Sequence, residues 1–561
     1  MKIRILAQRF YALLGTVTAL ATPSLVKREA PSTTKLPLLL DSTLDELQAG
    51  LKEGHFTSID LVRVYIARID EVNDKLRAVL EINPDAEAIA WMLDVERQRG
   101  QLRGPLHGIP VLVKDNIATH DDMNTTAGSF ALLGANVGED STVAAKLRKA
   151  GAIILGKTNM SQWAGLRSIA CPMGWSARGG QTVGAYFPGH NPQGSSSGSA
   201  VAASIGLAWA SIGTETTTSL VGPAHANNIV GIKPTVGLTS RHLIIPLSRR
   251  WDSVGPMART VKDAAYLLDV MAGRDDRDNY TSTIPFQKLP LYVDACRPGG
   301  LRGKRIGVLR NFFDIEALPD PSTLLSLAAF ENSLKVLTRL GAEVVDDIRF
   351  EGLKEYAKTP YHFKCIASDL KDQLYSHYFR HLRTNPHGVS SLEDLRRFVH
   401  ETKAEEYPRH DTSIFDWALE LDPAETSASY KGNNTFALEQ RGLRGVGVLI
   451  RQHSLDALFM PSVYAGLTSS LSGSPTITVP LGASPIDKPY EAGPDQDTTN
   501  IVGPNHPFGV GFVGSAFSEE SLIAMAYDFE QHTRVRQTIR PWIKPRTELD
   551  AIVRPRLYRR S

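Results

Sequence analysis

The sequence predicts an α/β protein: a single large layered domain with a central mixed, twisted sheet covered by helices on both faces. Three observations point there. Short apolar runs of strand length alternate with amphipathic segments of helix length along the whole chain, the pattern of a layered α/β unit. No repeat or low-complexity linker cuts the 561 residues into modules, although ~150 residues per domain would allow three or four. A chain that is 42% hydrophobic and 22% charged has the composition of a packed globular protein and not of a disordered or fibrous one.

Met1 to Arg9 carries three basic residues and no acid, and Phe10 to Leu20 is apolar. That run of ~11 residues is too short to cross a ~30 Å hydrocarbon core as a helix. With Ala19-Leu20-Ala21 as a small-x-small cleavage site it reads as a signal peptide over residues 1–21, and Lys27-Arg28 offers dibasic processing at 28. The expected product is secreted (extracellular), which gives meaning to the sequons at Asn124, Asn279 and Asn433; Asn159 matches by pattern but lies in a stretch expected to be buried. Thr43 to Glu46 has capping-box spacing. Ile59, Val62, Ile66 and Ile69 then recur at helical spacing, with Asp60, Arg63, Arg68 and Asp70 assigned to the other faces. Gly108 to Lys114 is a continuous apolar run ending in a charge, suited to a strand covered on both sides. Val143–Ala150 reads as helix, Ala152–Leu155 as strand and Ser199–Ala210 as a helix of small residues. Further helices are expected near Val261–Met271, Pro321–Leu340 and Glu519–Thr533, and strands at Arg305–Leu309, Ala457–Met460 and Thr476–Val479. Residues 375–434 are polar and weakly periodic, which suggests an insertion or lid in the domain that spans 29–561.

Charge and cysteine counts narrow the function. Sixty-two Lys+Arg against 60 Asp+Glu leave +2, too little to imply nucleic acid as a partner. The C-terminal run Arg554, Arg556, Arg559 and Arg560 reads as a solvated tail. Cys171, Cys296 and Cys365 are too few and too scattered for a disulfide framework or a zinc site, so no metal is expected.

The most informative string is Gly194-Ser-Ser-Ser-Gly-Ser199, which follows a Pro/Gly/Asn loop and opens a helix. It lacks the Gly-Lys-Ser/Thr ending of a phosphate loop. A Gly-x-Ser-x-Gly nucleophile elbow centred on Ser196 would need a strand running straight into it, and residues 187–193 do not supply one. A flexible structural loop is the plain alternative. The remaining reading uses a second serine, Ser219, in Gly213-Thr-Glu-Thr-Thr-Thr-Ser-Leu-Val-Gly-Pro-Ala224.

With that second string the sequence resembles the amidase signature family of Lys-Ser-Ser serine hydrolases, including secreted fungal amidases. The resemblance takes in residues 106–117 (LHGIPVLVKDNI), 156–164 (GKTNMSQWA), 174–182 (GWSARGGQT), both serine strings, 230–240 (VGIKPTVGLTS) and 254–257 (VGPM). It continues through 473–480 (GSPTITVP) and 507–510 (PFGV), so it spans most of residues 40–535. It implies a hydrolase cleaving a carboxylic amide (C–N) bond through an acyl-enzyme. Ser219 is then the nucleophile, Ser195 the bridging serine held by a cis peptide bond, and Lys114 the base. No metal or organic cofactor is implied, and the partner is a small-molecule amide substrate; no membrane span is expected, and oligomeric state is left open.

Lys114 can act as a base only when neutral, and an unperturbed lysine is neutral about once in ~2,500 at pH 7. Desolvation in an apolar pocket, to which Val111-Leu-Val113 is suited, can lower its pKa by ~3 units; strand alternation turns Asp115 to the other side. None of the 15 histidines sits in a string that marks a Ser–His–Asp system, and His107, Lys157 and Lys233 read as structural. The resemblance makes Thr216, Thr217 and Thr218, with Ser219, the oxyanion and substrate-binding residues. Here the chain departs from type. Thr218 stands where glycine is common, and a β-branched residue at positive φ would be an outlier. Thr217 replaces a frequent Gly or Asp, Leu220, Val221 and Gly222 fill places where an Arg is frequent, and Ser197 stands where Gly is common. Two alternatives follow: a catalytically impaired amidase-like binding protein, or an esterase with Ser196 as nucleophile.

Overall fold

Eleven strands hydrogen-bond into one sheet: β1 (Val79–Ile82), β2 (Pro110–Lys114), β3 (Ile153–Thr158), β4 (Ala210–Glu215), β5 (Val230–Lys233), β6 (Ser253–Ala258), β7 (Arg305–Leu309), β8 (Glu343–Ile348), β9 (Ala457–Pro461), β10 (Thr476–Ala483) and β11 (Pro507–Val513). Their order across the sheet is β1-β3-β2-β4-β6-β5-β10-β11-β9-β7-β8. Strand β2 runs parallel to β3 and β4, and β7 parallel to β8 and β9; the other neighbours are antiparallel. This computed structural model describes residues 36–311, 321–350, 361–421, 445–493 and 498–558, which from Pro37 onward belong to one unit. The leader, Lys27-Arg28, the Asn433 sequon, Arg559 and Arg560 lie outside the described residues.

Strands β2 to β6, β9 and β11 are buried at every position. A strand without a solvent face needs a layer on each side, and the fold is the layered mixed α/β domain the sequence predicts. The helix Leu44–Lys52 opens with the Thr43–Glu46 capping box. Helix Ser58–Leu76 carries a second box, between Thr57 and Asp60. Asp60, which the spacing assigns to another face than the apolar one, is nonetheless buried, its carboxylate accepting from the Thr57 amide. Arg68 is likewise buried, donating to the Gly206, Ile205 and Thr547 carbonyls and pairing with Glu548. Helical spacing separates faces; it does not tell a solvated charge from one satisfied by distant backbone.

Helices Val261–Met271 and Glu519–Thr533 and strand β7 fall where the pattern puts them. The helix expected over Ser199–Ala210 instead spans Ser197–Ser204 and stops at Gly206, whose φ of +66° ends the turn; β4 follows directly. In the 375–434 region, helices Leu392–Glu401 and Ser413–Glu420 and the end of Tyr361–His377 bury Leu392, Leu395, Val399 and Phe415 in one cluster with Trp163 and Trp251. Segments of eight and ten residues give too few turns for the period to stand out. The three cysteines are free thiols.

Candidate active site

The site forms where β2 and β4 end side by side. Their parallel register pairs Val113 with Ile212, so Lys114 emerges beside Gly213 and Thr214. From β4 the chain turns through Thr216–Ser219 into the short helix Val221–Ala226. The serine-rich loop lies against this turn: the Ser196 amide donates to the Ser219 carbonyl at 3.0 Å. Gly213 permits the approach, since a Cβ there would stand 2.9 Å from Ser196 Oγ and 3.1 Å from Ser196 Cβ.

The Lys114 amine lies 2.8 Å from Ser195 Oγ, 2.9 Å from Ser196 Oγ, 2.9 Å from Thr214 Oγ1 and 3.2 Å from the Thr214 carbonyl oxygen. Burial brings its pKa down to about 7, against the opposing pull of Glu215 and Asp252. A neutral amine has two N–H donors and one lone pair. Ser196 donates its own proton to the Thr214 carbonyl at 3.0 Å, so toward Lys114 it acts as acceptor. That leaves Ser195, joined to Gly194 by a cis peptide bond, and Thr214 as the hydroxyls able to face the lone pair. Exposure rises along the row from 0% at Lys114 through 1% at Ser195 to 7% at Ser219, which sets the base deepest and the second serine nearest solvent. The Ser219 hydroxyl donates to the Thr217 carbonyl over a long 3.4 Å.

Around Ser219 the backbone is held from both sides. The Glu215 carboxylate, whose pKa burial raises, accepts from the Leu220 and Val221 amides, each at 2.9 Å. Thr216 donates its hydroxyl to Asp252 at 2.6 Å, and the other Asp252 oxygen accepts from the Leu247 and Ser248 amides. Burial pushes Asp252 up to about 6 despite these bonds. The amides of Thr218 and Ser219 donate to no acceptor among the described residues. Thr217 and Thr218 are half-buried, and Thr218 sits at φ +56°. The conformation that suits glycine is therefore occupied by a β-branched residue.

All six expected site residues meet here. Thr214, Glu215 and Asp252 do so as well without having been singled out. Glu215 lay within the quoted Gly213–Ala224 string, where its distance from Ser219 could have marked it; Asp252 carries no local signal. The elbow reading is corrected: Ser196 is fully buried, its hydroxyl is spent on Thr214, and no strand precedes it. No histidine is hydrogen-bonded to these serines among the described residues. His107 holds the Leu93 carbonyl, Lys157 the Ile117 carbonyl and Thr125, and Lys233 the Ser474 carbonyl. Asp115 turns away, accepting from Thr126 and Gly128. Among the described residues no group of three or more His, Cys, Asp or Glu is arranged to hold a metal ion, and no helix is long and apolar enough to cross a membrane.

Comparison with known proteins places this geometry among relatives. A family profile described as Amidase matches residues 60–523. A protein of Arthroderma benhamiae named as an amidase is 45% identical over 93% of this chain and 90% of its own length. An Arabidopsis thaliana protein named as an amidase is 37% identical over 89% and 91%. The X-ray structure of native peptide amidase from Stenotrophomonas maltophilia superposes with a TM-score of 0.77 at 37% identity, covering 91% of this chain and 99% of that one.

Proposed function

This chain belongs to the amidase family and hydrolyses carboxylic amide C–N bonds, and on that premise we propose that hydrolysis proceeds through an acyl-enzyme on Ser219, with Ser195 and Lys114 as its proton relay. The observation that carries the reading is the Lys114 amine: fully buried, bonded to hydroxyls, and brought down to about 7. At that value about half the amines are neutral at pH 7, so the base is available without an exposed lysine's penalty. Ser219 rotates its hydroxyl from the Thr217 carbonyl toward Ser195 and attacks the substrate carbonyl carbon. Its proton passes to Ser195 Oγ as the Ser195 proton passes to Lys114 Nζ. The amides around Thr216–Ser219, including the two unengaged ones, receive the charge developing on the carbonyl oxygen. The lysine proton returns through Ser195 to the leaving amine, and water then releases the acyl group by the same relay. A fluorophosphonate probe tests the assignment: labelling that vanishes in Ser219→Ala and persists in Ser196→Ala supports it, and labelling that survives Ser219→Ala refutes it.

The substrate is a small amide compound. We propose peptide amides as the first class to screen, because the Stenotrophomonas neighbour is a peptide amidase. We further propose that residues 1–21 direct secretion and that Asn279 carries glycan, since it is exposed. Asn124 is a poorer acceptor: its amide donates to Glu81 and its carbonyl accepts from Gly134. Expression in a eukaryotic host tests both points. The expected product is in the medium, begins after residue 21 or after Arg28, and loses glycosidase-sensitive mass in Asn279→Gln; protein retained in cells with Met1 intact would reject secretion.

A further inference from the structure

We propose that Gly466 is a positioning residue for catalysis, the place in the fold that admits Thr218 beside the nucleophile. The proposal rests on the reading of Ser219 above. Gly466 lies inside the helix Ser462–Ser472, where glycine weakens a helix relative to alanine, so its presence calls for a contact that needs it. The contact is Thr218. A Cβ built on Gly466 would stand 3.0 Å from Thr218 Cγ2, 3.4 Å from Thr218 Cα and 3.3 Å from Val221 Cβ. Thr218 has no easy retreat. It already holds a left-handed backbone, φ +56°, its β-branched side chain is stiff, and its carbonyl is fixed by the Gly222 amide at 2.8 Å.

One turn further along the same helix face, the Ser470 hydroxyl donates to the Gly466 carbonyl at 2.7 Å and stands 3.4 Å from Glu215 Oε1. Glu215 in turn holds the two amides that follow Ser219. The helix thus meets the nucleophile turn on both sides of Ser219, with glycine's missing side chain accommodating the threonine methyl. A methyl added at Gly466 must displace the Thr218 methyl and Val221 Cβ by a few tenths of an ångström, and because the Thr218 side chain is stiff the shift passes to its backbone and to the unengaged amides of Thr218 and Ser219. That changes placement of the attacked carbonyl, and affects turnover more than substrate affinity.

The test is a double-mutant cycle on purified full-length protein with a turned-over amide. Gly466→Ala is expected to lower kcat about tenfold with KM within about twofold and the pH midpoint of kcat unmoved. Thr218→Gly in that background is expected to return kcat to the level of Thr218→Gly alone. An unchanged kcat in Gly466→Ala, or two losses that simply multiply, overturns the proposal. Should Gly466→Ala not fold, a folded and active double variant supports the proposal and an unfolded one overturns it. Ser219→Ala run in parallel keeps the questions apart, because activity surviving there rejects the nucleophile assignment instead.

Discussion

Two fully buried lysines stand on neighbouring strands and have opposite surroundings. Lys114 closes β2 and Lys157 lies on β3, where it pairs in register with Val113. Burial lowers both, Lys114 to about 7 and Lys157 to about 8. Their partners differ in kind. Lys157 donates to a backbone carbonyl and to Thr125, with Asp115, Asp121 and Glu81 nearby to favour the charged form. A carbonyl accepts and cannot donate, so of these two partners only the Thr125 hydroxyl could face a lone pair. Lys114 faces three hydroxyls that accept from an ammonium; Ser196 gives its own proton to the Thr214 carbonyl, which leaves Ser195 and Thr214 able to donate to an amine. Desolvation alone makes a lysine titrate near neutrality; amphiprotic neighbours make the neutral form usable.

Substitution at either lysine separates the two roles. Lys114→Ala should lower kcat/KM about a thousandfold at pH 7–8, measured on amide substrate; turnover near wild type would remove lysine from the mechanism. Lys157→Met should leave kcat within a few-fold and instead cost about 1–3 kcal/mol of stability by chemical denaturation, because the Ile117 carbonyl loses its buried donor. A large loss of kcat with stability intact would make the two lysines equivalent. A smaller effect sharpens the electrostatics. Asp252 raises the Lys114 pKa, so Asp252→Asn should move the acid limb of kcat/KM to lower pH; a move to higher pH would contradict that sign.

A third buried base shows burial without partners. His190 is brought down to about 3 by desolvation, and both its ring nitrogens and those of nearby His506 are unpaired among the described residues. The folded state keeps His190 neutral while the unfolded chain protonates near 6.5, so the unfolded state binds more protons between those values. Stability is therefore full above about pH 6.5 and falls as pH drops toward 3. Denaturation midpoints across that range should decline, and decline less in His190→Asn; a flat profile would show that His190 is not held neutral.

The local features of the fold were legible. The Thr43–Glu46 capping box, the buried apolar run before Lys114 and the spacing of the two serine strings each state their role in a few residues. Strands β4, Ala210–Glu215, and β6, Ser253–Ala258, were hidden because small residues, glycine and Pro256 carry little strand signal while buried on both faces. Asp252 and the helix behind Thr218 were hidden for a different reason. They reach the site from residues 252 and 462–472, and only the folded sheet brings them against residues 215–219. The substitution at Thr218 could be read as unusual from sequence, but its positive φ and the glycine opposite required coordinates.

Catalysis here needs a neutral amine at Lys114 that draws a proton from Ser219 through Ser195. The most direct test of this relay is the rate of fluorophosphonate labelling of Ser219 measured across the pH range. The predicted rate rises with pH about a midpoint near 7, where Lys114 loses its proton, and that rise disappears in Lys114→Ala. Labelling independent of pH, or a rise that persists without Lys114, would contradict it.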